Sequence, residues 1–209
     1  MALDLILVRH GQSQYNVDQT GGEDAPLTEL GRMQARRVGA YLAARFEIAA
    51  LYASTYIRAR ETAETINRFI GLELVLDPDL REANQDFAGG LKLFTDPLAS
   101  FESHPAFRPQ DISEYYAGFQ ARVIGALQRI LRNHDTGQVA IVSHGGVMAT
   151  IIRSLTGSHQ FSVHTENTGI HLLRWENHRW HVGALNRVEH LLSEQDLVTI
   201  PEMHEHKRE

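Results

Sequence analysis

The chain has no cysteine among its 209 residues. That excludes thiol nucleophiles, cysteine-ligated zinc, redox switching and disulfide staples. It also lacks any apolar run near the ~20 residues that a membrane-spanning helix requires. Met1-Ala2-Leu3-Asp4 passes directly into an apolar stretch, without a basic leader or cleavage site. The expectation is an untargeted cytoplasmic protein with no membrane partner. Base is scarce relative to acid: 20 Lys+Arg stand against 26 Asp+Glu, a net charge of −6. That balance disfavours nucleic acid and anionic lipid as partners, so any anion site must be a local basic pocket in an acidic body. Twelve histidines are present, but no H-E-x-x-H or comparable ligand spacing accompanies them, and His204 and His206 fall in a polar terminal stretch. No metal and no cofactor are expected.

At this length one domain buries roughly 70% of the unfolded chain's surface, enough for an α/β core. Two apolar stretches in it end alike. Leu5-Ile6-Leu7-Val8 runs into Arg9-His10-Gly11, and Val139-Ala140-Ile141-Val142 runs into Ser143-His144-Gly145-Gly146. Short apolar runs followed by Gly-rich turns and helical patterns read as buried parallel strands, and ligands bind beyond the carboxyl ends of such strands. Both histidines therefore belong on one reactive edge. With Arg9 beside the first and a helix opening after the second, its N–H groups aimed outward, the natural guest is a phosphate.

Between these landmarks, residues 12–27 are polar and turn-rich and read as a functional loop. Thr28 is expected to cap a helix running to about Phe46, with Gly31, Gln34 and Ala35 serving capping and packing and Arg32, Arg36 and Arg37 forming a solvated face. A strand over 48–53, a helix over 58–70 closed by Gly71, and a strand over 72–76 come next. Residues 83–112 carry three prolines and four phenylalanines without a clean period, a composition that fits a lid. A long helix is expected from Ser113 or Glu114 to about Arg132, and another over 146–155. Strands over 170–175 and 180–185 read as a terminal hairpin whose Trp175 and Trp180 pack in the core. The tail 193–209 is polar and frayed.

Four segments carry the chemistry: Arg9-His10-Gly11-Gln12-Ser13-Gln14-Tyr15-Asn16, Leu27-Thr28-Glu29-Leu30-Gly31, Ser54-Thr55-Tyr56-Ile57-Arg58-Ala59-Arg60-Glu61-Thr62-Ala63, and Ser143-His144-Gly145-Gly146. In this order and spacing the set resembles the histidine phosphatase superfamily, also called the phosphoglycerate mutase-like family, over residues 5 to about 155. The resemblance implies a three-layer α/β/α sandwich with a mostly parallel sheet, spanning residues 1–192. It also implies metal-independent hydrolysis of phosphate monoesters through a phosphohistidine on His10. An imidazole is nucleophilic only when neutral, and neighbouring cations favour that form. Arg9 and Arg58 are expected to supply those cations while clamping the phosphoryl oxygens. His144 is expected to donate a further hydrogen bond, and Asn16 matches a phosphate-contacting position. Gln12, Gly22 and Gly145 complete the expected substrate contacts.

Hydrolysis also needs an acid for the leaving oxygen and then a base for water, and one carboxyl can serve both. Leu80-Arg81-Glu82 resembles the family's corresponding motif, which makes Glu82 the candidate. The stretch after it, Ala83-Asn84-Gln85-Asp86-Phe87-Ala88-Gly89-Gly90, departs from the aromatic-Gly-Trp pattern of related phosphatases. The Arg and Tyr that mutases place there are missing as well, which disfavours mutase activity. The partner expected is a small phosphorylated metabolite, selected by a lid over residues 83–118 with Lys92, Phe94, Phe101, Phe107, Arg108, Tyr115 and Tyr116 as candidates. A phosphoglycerate mutase and a non-catalytic phosphate-binding module are the rival readings, and a homodimer stays open.

Overall fold

The structure is a computed structural model and describes residues 2–19, 22, 24–83, 114–158 and 161–192. The lid candidates Lys92, Phe94, Phe101, Phe107 and Arg108, and the tail with His204 and His206, lie outside the described residues.

Six strands form one sheet: β1 (Leu3–Arg9), β2 (Ile48–Ser54), β3 (Leu74–Asp77), β4 (Gly137–Ser143), β5 (Ile170–Glu176) and β6 (Arg179–Arg187). Their spatial order is β3-β2-β4-β1-β5-β6. The pairings β3 to β2, β2 to β4 and β4 to β1 are parallel, and only β5 runs against its neighbours. β1 and β4 are apolar on both faces because helices cover both. Leu5, Leu7, Val139 and Ile141 pack under α4 (Glu114–Arg132) and α5 (Gly145–Thr156). Ile6, Val8, Ala140 and Val142 pack under α2 (Glu29–Arg45) and α3 (Ile57–Ile70). This is the three-layer α/β/α arrangement the sequence led us to expect, and among the described residues no helix is long and apolar enough to cross a membrane.

Local chemistry explains the element ends. Thr28 Oγ1 accepts the Gly31 N–H at 3.0 Å, capping α2. Gly71 closes α3 in the left-handed region, φ 74°. Leu72 does not begin β3 as its apolar character led us to expect. The Asn67 amide holds both its N–H and its C=O, at 2.9 and 2.6 Å, and the strand starts only at Leu74. Within the expected loop 12–27 lies a short helix, α1 (Gln14–Asp18), in which Asn16 Oδ1 accepts from the Ser13 N–H and hydroxyl at 3.0 Å each. Five residues are too few to display a period, which is why it reads as loop.

Two packing expectations need correction. Trp175 does not sit in the core: it is 37% exposed and leans on Trp180 with ring centroids 5.7 Å apart, because β6 is the sheet edge and only Trp180 reaches the core. Tyr116, a lid candidate, is fully buried, its hydroxyl 3.4 Å from Thr150 Oγ1. Tyr115 is the exposed neighbour.

Candidate active site

β1 and β4 lie side by side with Arg9 opposite Ser143, so the turns that succeed them leave one edge together. His10 N–H donates to Ser143 C=O at 2.9 Å, and the His10 and His144 rings stand 5.1 Å apart, both buried. The turn after His10 is pressed against the start of α2. A side chain on Gly11 would meet the Gly31 carbonyl at 2.5 Å, and one on Gly31 would strike the Gln12 carbonyl. Two glycines are thus required for backbone to touch backbone here. Gly11 N–H donates to Thr62 Oγ1 at 3.1 Å and Gln12 N–H to Gln34 Oε1 at 2.9 Å. Gln34 therefore does more than pack, contrary to the sequence reading: it pins the turn.

The hydrogen bonds of His10 settle its tautomer. Nδ1 lies 2.7 Å from the Gly11 carbonyl, which can only accept, so Nδ1 carries the proton. Nε2 then exposes its lone pair, and Arg58 Nε–H donates to it at 3.1 Å. Burial, followed by the charges of Arg9 and Arg58, holds the imidazole well below its ordinary pKa of 6.5, so the ring is neutral near neutrality. His144 is held down in the same direction, by burial first and then by His10 and the two arginines. Its Nε2 is 2.8 Å from Ser54 Oγ, at the end of β2, and its buried Nδ1 has no partner among the described residues. Tyr56 packs edge-on to His144 at 5.5 Å and carries the Arg58 guanidinium 5.1 Å from its ring centre.

Arg9 is anchored at one end only. Its Nη1 donates to the Thr165 carbonyl, while its buried Nε has no partner among the described residues and faces Gly145, 3.9 Å from where a Cβ there would lie. Glu82 stands between the arginines and α5. Its Oε2 accepts the Gly146 N–H at 2.9 Å and its Oε1 the Ala83 N–H at 3.1 Å. Burial raises its pKa above the ordinary 4.5, against those bonds and the charges of Arg9 and Arg58. The amide at the start of α5 thus faces a carboxylate, where the sequence had led us to expect a phosphate alone. Arg122 of α4 steadies this segment by donating to the Asp79 and Arg81 carbonyls at 2.7 and 3.0 Å. Beside Glu82 opens a cavity of about 560 Å³, lined among the described residues by Tyr56, Arg81, Tyr115 and Phe119.

The structure brings His10, Arg9, Arg58, His144, Glu82 and Gly145 to this edge. Asn16 joins at its rim through Oδ1, which accepts from Asn167 Nδ2 at 3.4 Å. The Gln12 side chain turns aside to Thr28 Oγ1 at 2.9 Å. Gly22 is exposed, with open space around it and no described contact to the group. Ser54, Thr62, Tyr56 and Arg122 went unassigned in the sequence reading, although the first three lie inside its motifs. The segment Thr165-Glu166-Asn167-Thr168-Gly169 was missed. Thr168 N–H and Asn167 Nδ2 both donate to the His10 carbonyl at 3.2 Å, and Arg9 N–H donates to Gly169 C=O at 3.1 Å. Thr168, a β-branched residue, sits at φ 59°, a conformation that costs ~1–3 kcal/mol and persists only where surrounding bonds impose it.

Comparison with known proteins agrees with this geometry. The sequence profile of the histidine phosphatase superfamily (branch 1) matches residues 5–188, and the chain belongs to that superfamily. Among its relatives is the putative phosphoserine phosphatase 2 of Hydrogenobacter thermophilus, 32% identical over 89% of this chain and 96% of that protein. Among solved structures, Bacillus stearothermophilus YhfR matches with a TM-score of 0.71 at 33% identity, covering 90% of this chain and 99% of that one. A mutant phosphoserine phosphatase from Entamoeba histolytica, in complex with phosphoserine, matches with a TM-score of 0.66 at 25% identity, over 90% and 99% of the two chains. The superfamily and these relatives support phosphatase activity on a small phosphorylated metabolite.

Proposed function

We propose that the protein hydrolyses phosphate monoesters by passing the phosphoryl group through Nε2 of His10, without a metal ion. The observation that carries this is the His10 ring itself, buried, neutral, and held with Nδ1–H on a carbonyl so that the Nε2 lone pair faces a guanidinium. In the first step Nε2 attacks phosphorus in line and the ester oxygen leaves. Protonated Glu82 gives that oxygen its proton. In the second step the Glu82 carboxylate takes a proton from water, whose oxygen displaces Nε2 and yields inorganic phosphate. Arg9 through Nε, Arg58, His144 through Nδ1, Asn16 and the Gly145 amide hold the transferring oxygens. The two guanidiniums supply the charge stabilisation a divalent ion provides elsewhere. As with the phosphoserine phosphatases it is similar to, a phosphomonoester bearing a further polar or charged group is the substrate class we favour, with that group in the cavity beside Tyr56 and Arg81.

The test is chemical trapping. Protein quenched during turnover of an aryl phosphate should carry phosphate that is labile in acid and stable in base, as a phosphoramidate is, and turnover should persist in excess chelator. The His10→Ala variant should fold, carry no phosphate and lose turnover by several orders of magnitude. Near-normal turnover in that variant would exclude His10 as the nucleophile.

A further inference from the structure

Behind the phosphoryl pocket lies a buried histidine that the proposed mechanism does not use. His171 is on β5, in register with Leu7 of β1, and has no exposed surface. A leucine would fill that place in the sheet without desolvating two ring nitrogens, a change that is costly unless both are bonded. Both are. Nδ1 accepts the Asn186 N–H at 3.2 Å, and since that donor is a backbone amide, Nδ1 must be unprotonated. The neutral ring therefore carries its proton on Nε2, which lies 2.8 Å from Thr165 Oγ1 and donates to it. Thr165 is the residue whose carbonyl takes Arg9 Nη1. Asn186 has a second hold on the same segment, its Oδ1 accepting the Glu166 N–H at 2.8 Å.

The bonds run in one direction: the β6 backbone orients His171, His171 fixes the Thr165 side chain, and Thr165 fixes the Arg9 guanidinium. A guanidinium is a rigid plane, so anchoring Nη1 determines where Nε points. Here it points at Gly145, into the gap between the two histidine turns. We propose that His171 is a positioning residue for Arg9, acting through Thr165 to aim Arg9 Nε at the phosphoryl group. Packing alone does not account for this arrangement, because both nitrogens are matched to partners and the last partner in the chain is a cation of the pocket. The inference rests on the phosphate-binding reading of that pocket, although not on turnover.

Inorganic phosphate is therefore the probe, with its affinity for the full-length protein measured by calorimetry. His171→Leu should weaken phosphate binding by about tenfold or more, the size expected when one buried partner is removed from a hydrogen-bonded chain, and should raise KM for an aryl phosphate by a similar factor. His171→Gln, whose amide can donate from the Nε2 position, should recover most of both. Thr165→Val should match the leucine variant, and the double variant should be no weaker than either single one. Leu42→Ala, a truncation in the other core layer, serves as the control for lost stability and should leave phosphate affinity unchanged.

Unchanged phosphate affinity in His171→Leu and Thr165→Val, with wild type hydrolysing monoesters, overturns the positioning role and leaves the catalytic reading standing. Weakened affinity that glutamine restores, in a protein that hydrolyses no monoester, supports the positioning role while the catalytic reading falls. A glutamine variant as weak as the leucine one, or a wild type that binds no phosphate, overturns the positioning role.

Discussion

The two groups asked to hold and release protons at the site are displaced in opposite directions. His10 is pushed below 6.5 by burial and the arginines, so its reactive neutral form persists into acid. Glu82 is pushed above 4.5, chiefly by burial, so its acidic form persists to higher pH than an ordinary carboxyl's. The proposed phosphoryl transfer to His10 needs the neutral imidazole together with protonated Glu82. Turnover should fall on the acid side as His10 gains its proton and on the alkaline side as Glu82 loses its own. We expect kcat/KM for an alkyl phosphate to rise as pH is lowered from 7.5 through 6.5; a profile that instead climbs with pH over that range would remove Glu82 as the acid. Glu82→Gln keeps the shape of the side chain but cannot deliver a proton. It should reduce the rate ~10²-fold or more on an alkyl phosphate and much less on an activated aryl phosphate, compared by single-turnover kinetics.

Elements decide how much of this was legible beforehand. The β5–β6 hairpin turns on Asn177 and His178, both left-handed at φ 52° and 61°, the geometry of a type I′ turn. Asparagine and histidine enter that region more readily than most residues, but only glycine enters it without steric cost. His178→Gly should therefore stabilise the fold by about 0.5–1 kcal/mol, read as a rise in the denaturant midpoint at constant slope. The strands and helices that present His10, Arg58 and His144 were readable because each motif sits where an apolar period stops, and local chemistry marks such places. The segment 165–169 was not readable. Thr165, Asn167 and Thr168 have no periodic neighbours, and their roles come from bonds to Arg9 and His10, more than 150 positions away in the chain. Leu72 misled for the opposite reason: its residue type favours a strand, but one asparagine side chain claims its backbone.

At the scale of the whole molecule, the four buried histidines among the described residues act in concert. His171 and His190 are each pushed from 6.5 to about 4 by burial, and His10 and His144 are lowered in the same sense. Between about pH 4 and 6.5 the unfolded chain binds protons that the folded chain refuses, so stability falls as pH falls through 6.5. His171 and His190 account for up to ~3 kcal/mol each by pH 4. Glu82 works the other way, because above 4.5 the unfolded carboxyl ionises while the folded one resists, but it is one group against four. The melting temperature should hold near neutrality and drop steadily from pH 6.5 to 4.5. A flat response over that interval would show that these rings are charged, or exposed, in the folded state.

The position of β1 in the sheet governs when activity can first exist. It precedes both of its neighbours in sequence, yet it lies near the middle of the sheet, between β4 and β5, and neither neighbour exists until residues 137–143 and 170–176 have been synthesised. Its carboxyl end then waits on Thr165, Asn167 and Thr168, which hold the Arg9 guanidinium and the His10 carbonyl. The chain must therefore be made through residue 168 before His10, the proposed nucleophile, has its pocket around it. On the proposed reading, competence therefore depends on pairing strands and a connecting segment that are far apart in sequence, and no short stretch of the chain carries it alone.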